Sequence, residues 1–236
     1  MATKARKATR TTQPRAPLSR MRVLEAALRV VDDEGLDALT MRRLGEELQA
    51  DPMSVYRHVD GKDALFDGLA ETMWAEVPGP PGQAWPDDLR TLARSVRGVI
   101  HRHHGAAPLV IRRFLNRSAL EVSHAYLEVL RRAGFRDSRA AEVLRSVVSY
   151  SVGYGLQEIS LLAVPGTPVQ GEGAGREFLV ALGQSLPAGT PPHLIETAIA
   201  LCADCDPDAC FEFGLELIVQ GVRQLGTAEA RDRVSC

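Results

Sequence analysis

Apolar positions recur at helical spacing along almost the whole chain. Val23, Leu24, Ala27, Leu28, Val30 and Val31 stripe one side of a segment that Gly35 stops. Met41, Leu44 and Leu48 do the same for a short segment led by Thr40, whose hydroxyl can accept from orphan first-turn N–H groups. Gln49 and Ala50 then make a turn. Asp51 caps a third segment that Pro52 opens, with Val55 and Val59 one turn apart. A fourth helix begins near Gly61 and Lys62 and carries Leu65, Leu69 and Met73 at i, i+4 and i+8, until Pro78-Gly79-Pro80-Pro81-Gly82 breaks the pattern. Beyond that break the periodicity predicts helices near 86–104, 107–115, 118–133, 138–163, 175–186, 191–203 and 207–225. Val164 to Gly175 reads as a Gly/Pro-rich loop, and the residues from Thr227 onward as a frayed tail. The β-branched residues fall inside helical patterns and regular hairpin turns are missing, so the fold class expected is all-α.

The second and third segments are short, and about three residues join them. With Val55 and Val59 turned inward, Pro52, Met53, Ser54, Arg57 and His58 point outward on a helix of about eight residues. Such a helix is too short and polar to stand alone, so a scaffold must hold it. An ordinary surface αα-hairpin is the alternative. Against it stand the amphipathic helices on either side and a basic N-terminal arm. That arm carries Lys4, Arg6, Lys7, Arg10, Arg15, Arg20 and Arg22, with no acidic residue before Glu25. An arm of this composition is disordered alone and attracted to phosphate. The layout is that of a helix-turn-helix whose second helix can enter a DNA major groove. Arg42, Met53, Ser54 and Arg57 are then the candidates for base edges, since Arg pairs with guanine and Met can touch a thymine methyl. Thr40, Tyr56, His58 and Lys62 are the candidates for phosphate.

Net charge is −2, which alone argues against nucleic acid, but the charge is segregated. Up to Lys62 there are twelve Lys/Arg against nine Asp/Glu, or +3, leaving −5 for the remainder. A basic end on an acidic body suits a molecule with two jobs. No hydrophobic run approaches the roughly 20 residues of a membrane helix. The basic N-terminus lacks the apolar core of a secretory signal, so the four cysteines are expected in a reducing, cytoplasmic setting.

From Arg20 to Met73 the chain resembles the tetracycline-repressor family of transcriptional regulators. The marks are Leu39-Thr40-x-Arg42-x-Leu44, Val55-Tyr56-x-His58-Val59, and Lys62 followed by Ala64-Leu65. Family members usually have Gly where this chain has Gln49, which implies a strained or altered turn there. The resemblance reaches further. Phe211 to Leu225 and the Gly134-Phe135 corner are similar to the C-terminal domain of tetracycline repressors, where two helices from each subunit form a four-helix bundle. Residues 138–163 and 211–225 are also too apolar for helices that pack on one side only, which favours a homodimer. At positions where tetracycline-binding members use polar side chains and a metal-ligating His, this chain has Pro78, Leu92, Val96 and Val110. Gln157 stands where they have a metal-associated acidic residue. Val and Leu cannot hold a Mg²⁺ chelate, so an apolar pocket for a more hydrophobic ligand is expected. Its candidate lining is Leu92, Val96, Val110, Phe114, Tyr126 and Tyr154.

Other constellations change little. His101, His103 and His104 end a predicted helix, where the helix dipole favours positive charge. Cys202, Cys205 and Cys210 form C-x₂-C-x₄-C, which is incomplete as a zinc site, and plain thiols are the favoured reading. Nothing pairs a nucleophile with a base or builds a phosphate loop, so no enzyme activity and no cofactor are expected.

The organisation expected is a basic arm over residues 1–18, a helix-turn-helix domain with its connecting helix over 19–77, a helical ligand-binding and dimerisation domain over 84–226, and a flexible tail over 227–236. The function expected is a cytoplasmic, ligand-responsive regulator, most simply a repressor that releases double-stranded operator DNA on binding a small, largely apolar effector. The alternative is a small-molecule or metal sensor whose N-terminal helices are structural only.

Overall fold

The computed structural model describes residues 17–162, 189–194 and 206–234. Among them there are helices and turns and no strand. The helices are α1 (Arg20–Glu34), α2 (Met41–Leu48), α3 (Pro52–Tyr56), α4 (Lys62–Ala75), α5 (Trp85–Arg102), α6 (Ala107–Arg112), α7 (Arg117–Arg132), α8 (Asp137–Leu162) and α9 (Pro207–Val234). The basic arm up to residue 16, the loop expected at 164–175 and the helix expected at 175–186 lie outside the described residues, as does most of that expected at 191–203.

Local chemistry sets most boundaries. Ser19, Thr40, Asp51 and Asn116 each accept from a first-turn backbone N–H of the helix that follows, which satisfies an orphan donor. Gly134 ends α7 at φ 93°; its N–H donates to Arg131 O, and the N–H of Phe135 donates back to Leu130 O at 3.1 Å. That pair of reverse bonds turns the chain into α8 and seats Phe135 in the core. The tail expected from Thr227 is instead helical, since α9 runs to Val234. Ala228, Glu229, Ala230 and Arg231 are strong helix formers, and one Gly at 226 costs only about 1 kcal/mol in a helix interior.

The N-terminal head is α1 to α3 with the first half of α4, packed around Val23, Leu44, Val55, Leu65 and Leu69. The body is organised on the α5–α8 pair. Gly155 of α8 leaves room for Ile100, since a Cβ there would lie 3.1 Å from its Cγ2. α7 packs on α4 and α8, and α9 packs on α8 and α5.

Three ion pairs join α5 to α9 in antiparallel order. Arg90 bonds Glu216, Arg94 bonds Glu212, and Arg97 bonds Asp208. Arg97 also forks onto Glu158 of α8 and lies over the ring of Phe211, 4.7 Å from its centroid. Across the α8–α9 contact, a Cβ on Gly214 would sit 2.3 Å from the Tyr150 hydroxyl oxygen, so only glycine fits.

Gln49 is the one non-glycine residue at positive φ among the described residues, in the left-handed region at φ 51°, ψ 44°. The strained turn expected at Gln49 is therefore present, with a side chain in the left-handed region at a conformational cost of about 1–2 kcal/mol. Gln49→Gly is expected to raise stability by about 0.5–1 kcal/mol, the relief being partly offset by the greater entropy of unfolded glycine. Urea unfolding midpoints measure it, and an unchanged or lowered midpoint contradicts the strain.

Candidate nucleic-acid interface and effector cavity

The head presents one polar surface. Thr40 accepts from the N–H of Arg43 at 3.0 Å and so fixes the start of α2. The two neighbouring arginines then part. Arg43 is pinned to Glu34 at 2.6 Å and Glu47 at 3.3 Å, which makes it structural. Arg42 points outward with 86% of its side chain exposed, its partner Glu46 one turn on at 3.8 Å. A pair this exposed holds the side chain weakly.

Between the helices, Gly45 lets Ala50 and Pro52 come close. A Cβ there would lie 2.9 Å from Ala50 O. Asp51 accepts from the N–H of Met53 at 2.7 Å. The helix that follows is shorter than the eight residues expected: α3 ends at Tyr56, and Arg57 and His58 continue as a turn. The outward set survives this change, because Val55 and Val59 are both buried and fix the phase. Met53, Tyr56 and Arg57 are exposed, and Pro52, Ser54 and His58 half-buried. Lys62 is exposed at the first turn of α4 with its ammonium 5.4 Å from the Phe66 ring centroid. All eight candidate DNA residues thus lie on α2, α3, their caps, the turn after α3 and the start of α4.

The other end of α4 opens on a second site. Met73, Trp74 and Val77 meet Val96 and Val99 of α5 and Val110 of α6 around a small cavity of about 10 Å³. That is room for about one water, far below the roughly 300–1,000 Å³ of ordinary small-molecule sites, so any effector needs the helices to part. The lining residues are apolar, and the indole N–H of one of them, Trp74, is buried with no hydrogen-bond partner among the described residues.

Of the six residues expected to line an effector pocket, Val96 and Val110 are here, and Leu92 is buried on α5 one turn before Val96. The other three are not. Phe114 lies past the end of α6 with 57% of its surface exposed. Tyr126 is fully buried and donates to Pro78 O at 3.2 Å, which ties the linker to α7; burial pushes its pKa up to about 12. Tyr154 packs on Phe211 and Arg97 and donates to Pro207 O at 3.2 Å. Met73, Trp74, Val77 and Val99 were missed. Val99 is three residues beyond Val96 on the same face, a signal present in the spacing.

Head and body meet through charge. Arg113, after α6, donates to Asp63 at 2.7 Å and Asp67 at 2.8 Å on α4. Arg102 and His103, at the end of α5, both bond Glu76 just after α4, and His103 also bonds Asp32 of α1. His101, by contrast, bonds Glu158 within the body at 2.7 Å. Cys210 is disulfide-bonded, where plain thiols were the favoured reading, and its partner lies outside the described residues.

A family model described as bacterial regulatory proteins, tetR family, matches residues 23–69, and one described as tetracyclin repressor-like, C-terminal domain, matches residues 77–225. The second spans more than half of the chain. The chain belongs to the TetR family. It is 31% identical over 204 residues to the class A tetracycline repressor from transposon 1721 of Escherichia coli, covering 85% of this chain and 88% of that one. ActR of Streptomyces coelicolor, solved with actinorhodin, superposes with a TM-score of 0.72 at 30% identity over 89% of this chain and 99% of that one. BioQ, solved with its double-stranded DNA operator, gives 0.55 at 28% identity over 61% of this chain and 89% of that one. This TetR-family protein is a ligand-responsive DNA-binding transcriptional repressor. The alternative in which its N-terminal helices are only structural gives way to the family match on those same helices. Among the described residues, no helix is long and apolar enough to cross a membrane.

Proposed function

We propose that this repressor works as a homodimer, reads its operator through α2 and α3, and releases it when an apolar effector parts α4 from α5 and α6. The observation that carries the reading is that one helix serves both sites: α4 begins with Lys62 on the polar face of the head and ends with Met73 and Trp74 in the cavity. Prying its far end away from α5 tilts the helix, which moves the head attached to its start. The relatives' ligands, tetracycline and actinorhodin, are consistent with a cavity role for small molecules. Here the lining favours a mostly apolar ring system with one acceptor oxygen, such as a carbonyl, for the Trp74 N–H. The domain division at residues 19–77 and 84–226 follows the same line, with Pro78 to Gly82 between.

Arg42, Met53, Ser54 and Arg57 are assigned to base edges, and Thr40, Tyr56, His58 and Lys62 to phosphate. Arg42→Ala is expected to weaken binding by roughly 1–3 kcal/mol and relax preference at one operator position. Lys62→Ala is expected to weaken all sequences alike and to lower the slope of log affinity against log salt by about 0.9. Fluorescence anisotropy with operator and scrambled duplexes over a salt series separates the two. Unchanged affinity in both variants rejects the assignment.

A further inference from the structure

His103 does something its place at a helix end does not require. Its Nδ1 lies 2.8 Å from Asp32 Oδ2 and its Nε2 lies 2.8 Å from Glu76 Oε1. Ionised carboxylates only accept, and a neutral imidazole carries a single N–H. Two carboxylate partners, one at each ring nitrogen, therefore require the doubly protonated ring. The three residues come from three elements: Asp32 from the last turn of α1, Glu76 from the end of α4, and His103 from the end of α5.

The surroundings leave this bridge little substitute. The other oxygen of Asp32, Oδ1, is buried with no hydrogen-bond partner among the described residues. Glu76 uses its second oxygen on Arg102, at 2.9 Å. Asp32, Glu76 and Arg102 are the charged groups that meet the ring or its partners, from α1, the end of α4 and α5 respectively. Two residues on, Gly105 lies against α1 so closely that a Cβ would fall 2.0 Å from Val31 O. The backbones of head and body already touch there, so α1 cannot sink inward to recover a lost hydrogen bond.

We propose that His103 is a positioning residue for operator binding, latching head to body only as the imidazolium, so that the set of the DNA-reading head is coupled to uptake of one proton. The hydrogen bond to Asp32, first, and that to Glu76 raise the pKa of the ring against the opposing effect of burial. The sign follows. A raised pKa means that the latch contributes fully below the undocked value of about 6.5 and is lost as pH rises through the docked one. The window lies from about 6.5 upward, where cells regulate transcription.

The test compares full-length proteins in a His58→Gln background, which removes the histidine assigned to phosphate, with operator affinity measured at constant ionic strength between pH 6 and 9. With His103 present, affinity is expected to change roughly three- to tenfold over that range, within the tenfold per pH unit that one proton allows. The His103→Gln protein is expected to stay flat within about twofold. Asp32→Asn, which keeps the fold's shape and removes one charge, is expected to show an intermediate slope. In ¹⁵N spectra of the otherwise unmodified protein, both His103 ring nitrogens should carry protons at pH 6.5. A flat profile with His103 present, equal slopes with and without it, or a neutral ring at pH 6.5 overturns the proposal.

Discussion

Leu217→Glu is expected to turn the repressor into monomers and to cost it operator binding. On α9 the buried side is Phe211, Leu215, Val219 and Val222, packed on the body. The opposite side repeats apolar residues at one-turn spacing: Phe213 is 68% exposed, Leu217 61% and Leu225 42%, with Gly221 between the last two. A single chain thus leaves an apolar stripe uncovered along α9. Covering it with a second copy puts a charge at position 217 into an apolar seam without a partner, at a cost of several kcal/mol. Two recognition helices must also address half-sites about 34–36 Å apart, so losing the dimer removes one of two footholds on DNA. Val148 is a poorer probe, because it is partly buried against the core of its own chain and a charge there disturbs folding as well. Light scattering at micromolar concentration with operator anisotropy decides the matter. A monomeric unmodified protein, or a dimeric Leu217→Glu protein that binds operator normally, defeats the bundle.

The second large effect is expected at Val96→Trp, which should abolish release by effector while leaving operator affinity within about twofold. Val96 is 2% exposed and faces the cavity beside Trp74 and Val110. An indole there occupies the space a ligand must take, and overpacking costs about 1–3 kcal/mol of stability, which a cooperative helical core can absorb. A ligand shifts the conformational balance only by its difference in affinity for the two forms, so a protein that cannot admit it cannot respond. Actinorhodin and tetracycline, the small molecules of the related proteins, are the first compounds to screen for release. For any compound that releases operator from the unmodified protein, a normal response from Val96→Trp puts the cavity assignment in the wrong place.

What the sequence disclosed and what it hid divide along range of interaction. Thr40, Asp51 and Pro52 announce helix starts because capping is settled within three residues. Val55 and Val59 announce the outward face of α3 because phase is a property of one helix. Gln49 stood out because one backbone angle there is costly for any side chain. The cavity was only half legible. Val96 and Val110 carry the right chemistry, but Trp74 joins them from a helix assigned to the head, and only packing reveals that α4 belongs to both parts. Tyr126 and Tyr154 look like ligand contacts in a list of aromatics, and become braces once Pro78 and Pro207 are placed beside their hydroxyls. His103 meets Asp32 across 71 residues, and no local pattern encodes that distance.

The charge ladder between α5 and α9 has a degeneracy built into it. Its rungs repeat every turn or so, as Arg90, Arg94 and Arg97 face Glu216, Glu212 and Asp208. Sliding α9 by one turn, about 5–6 Å, would offer two of the three arginines a carboxylate again. Charge alone is a ruler without a zero mark. Gly214 supplies the mark: a slip of four residues brings Cys210 or Ile218 opposite the Tyr150 hydroxyl, where not even a Cβ fits. A single missing side chain therefore sets where the uncovered stripe of α9 lies along the body, and with it the spacing at which two copies would hold their heads.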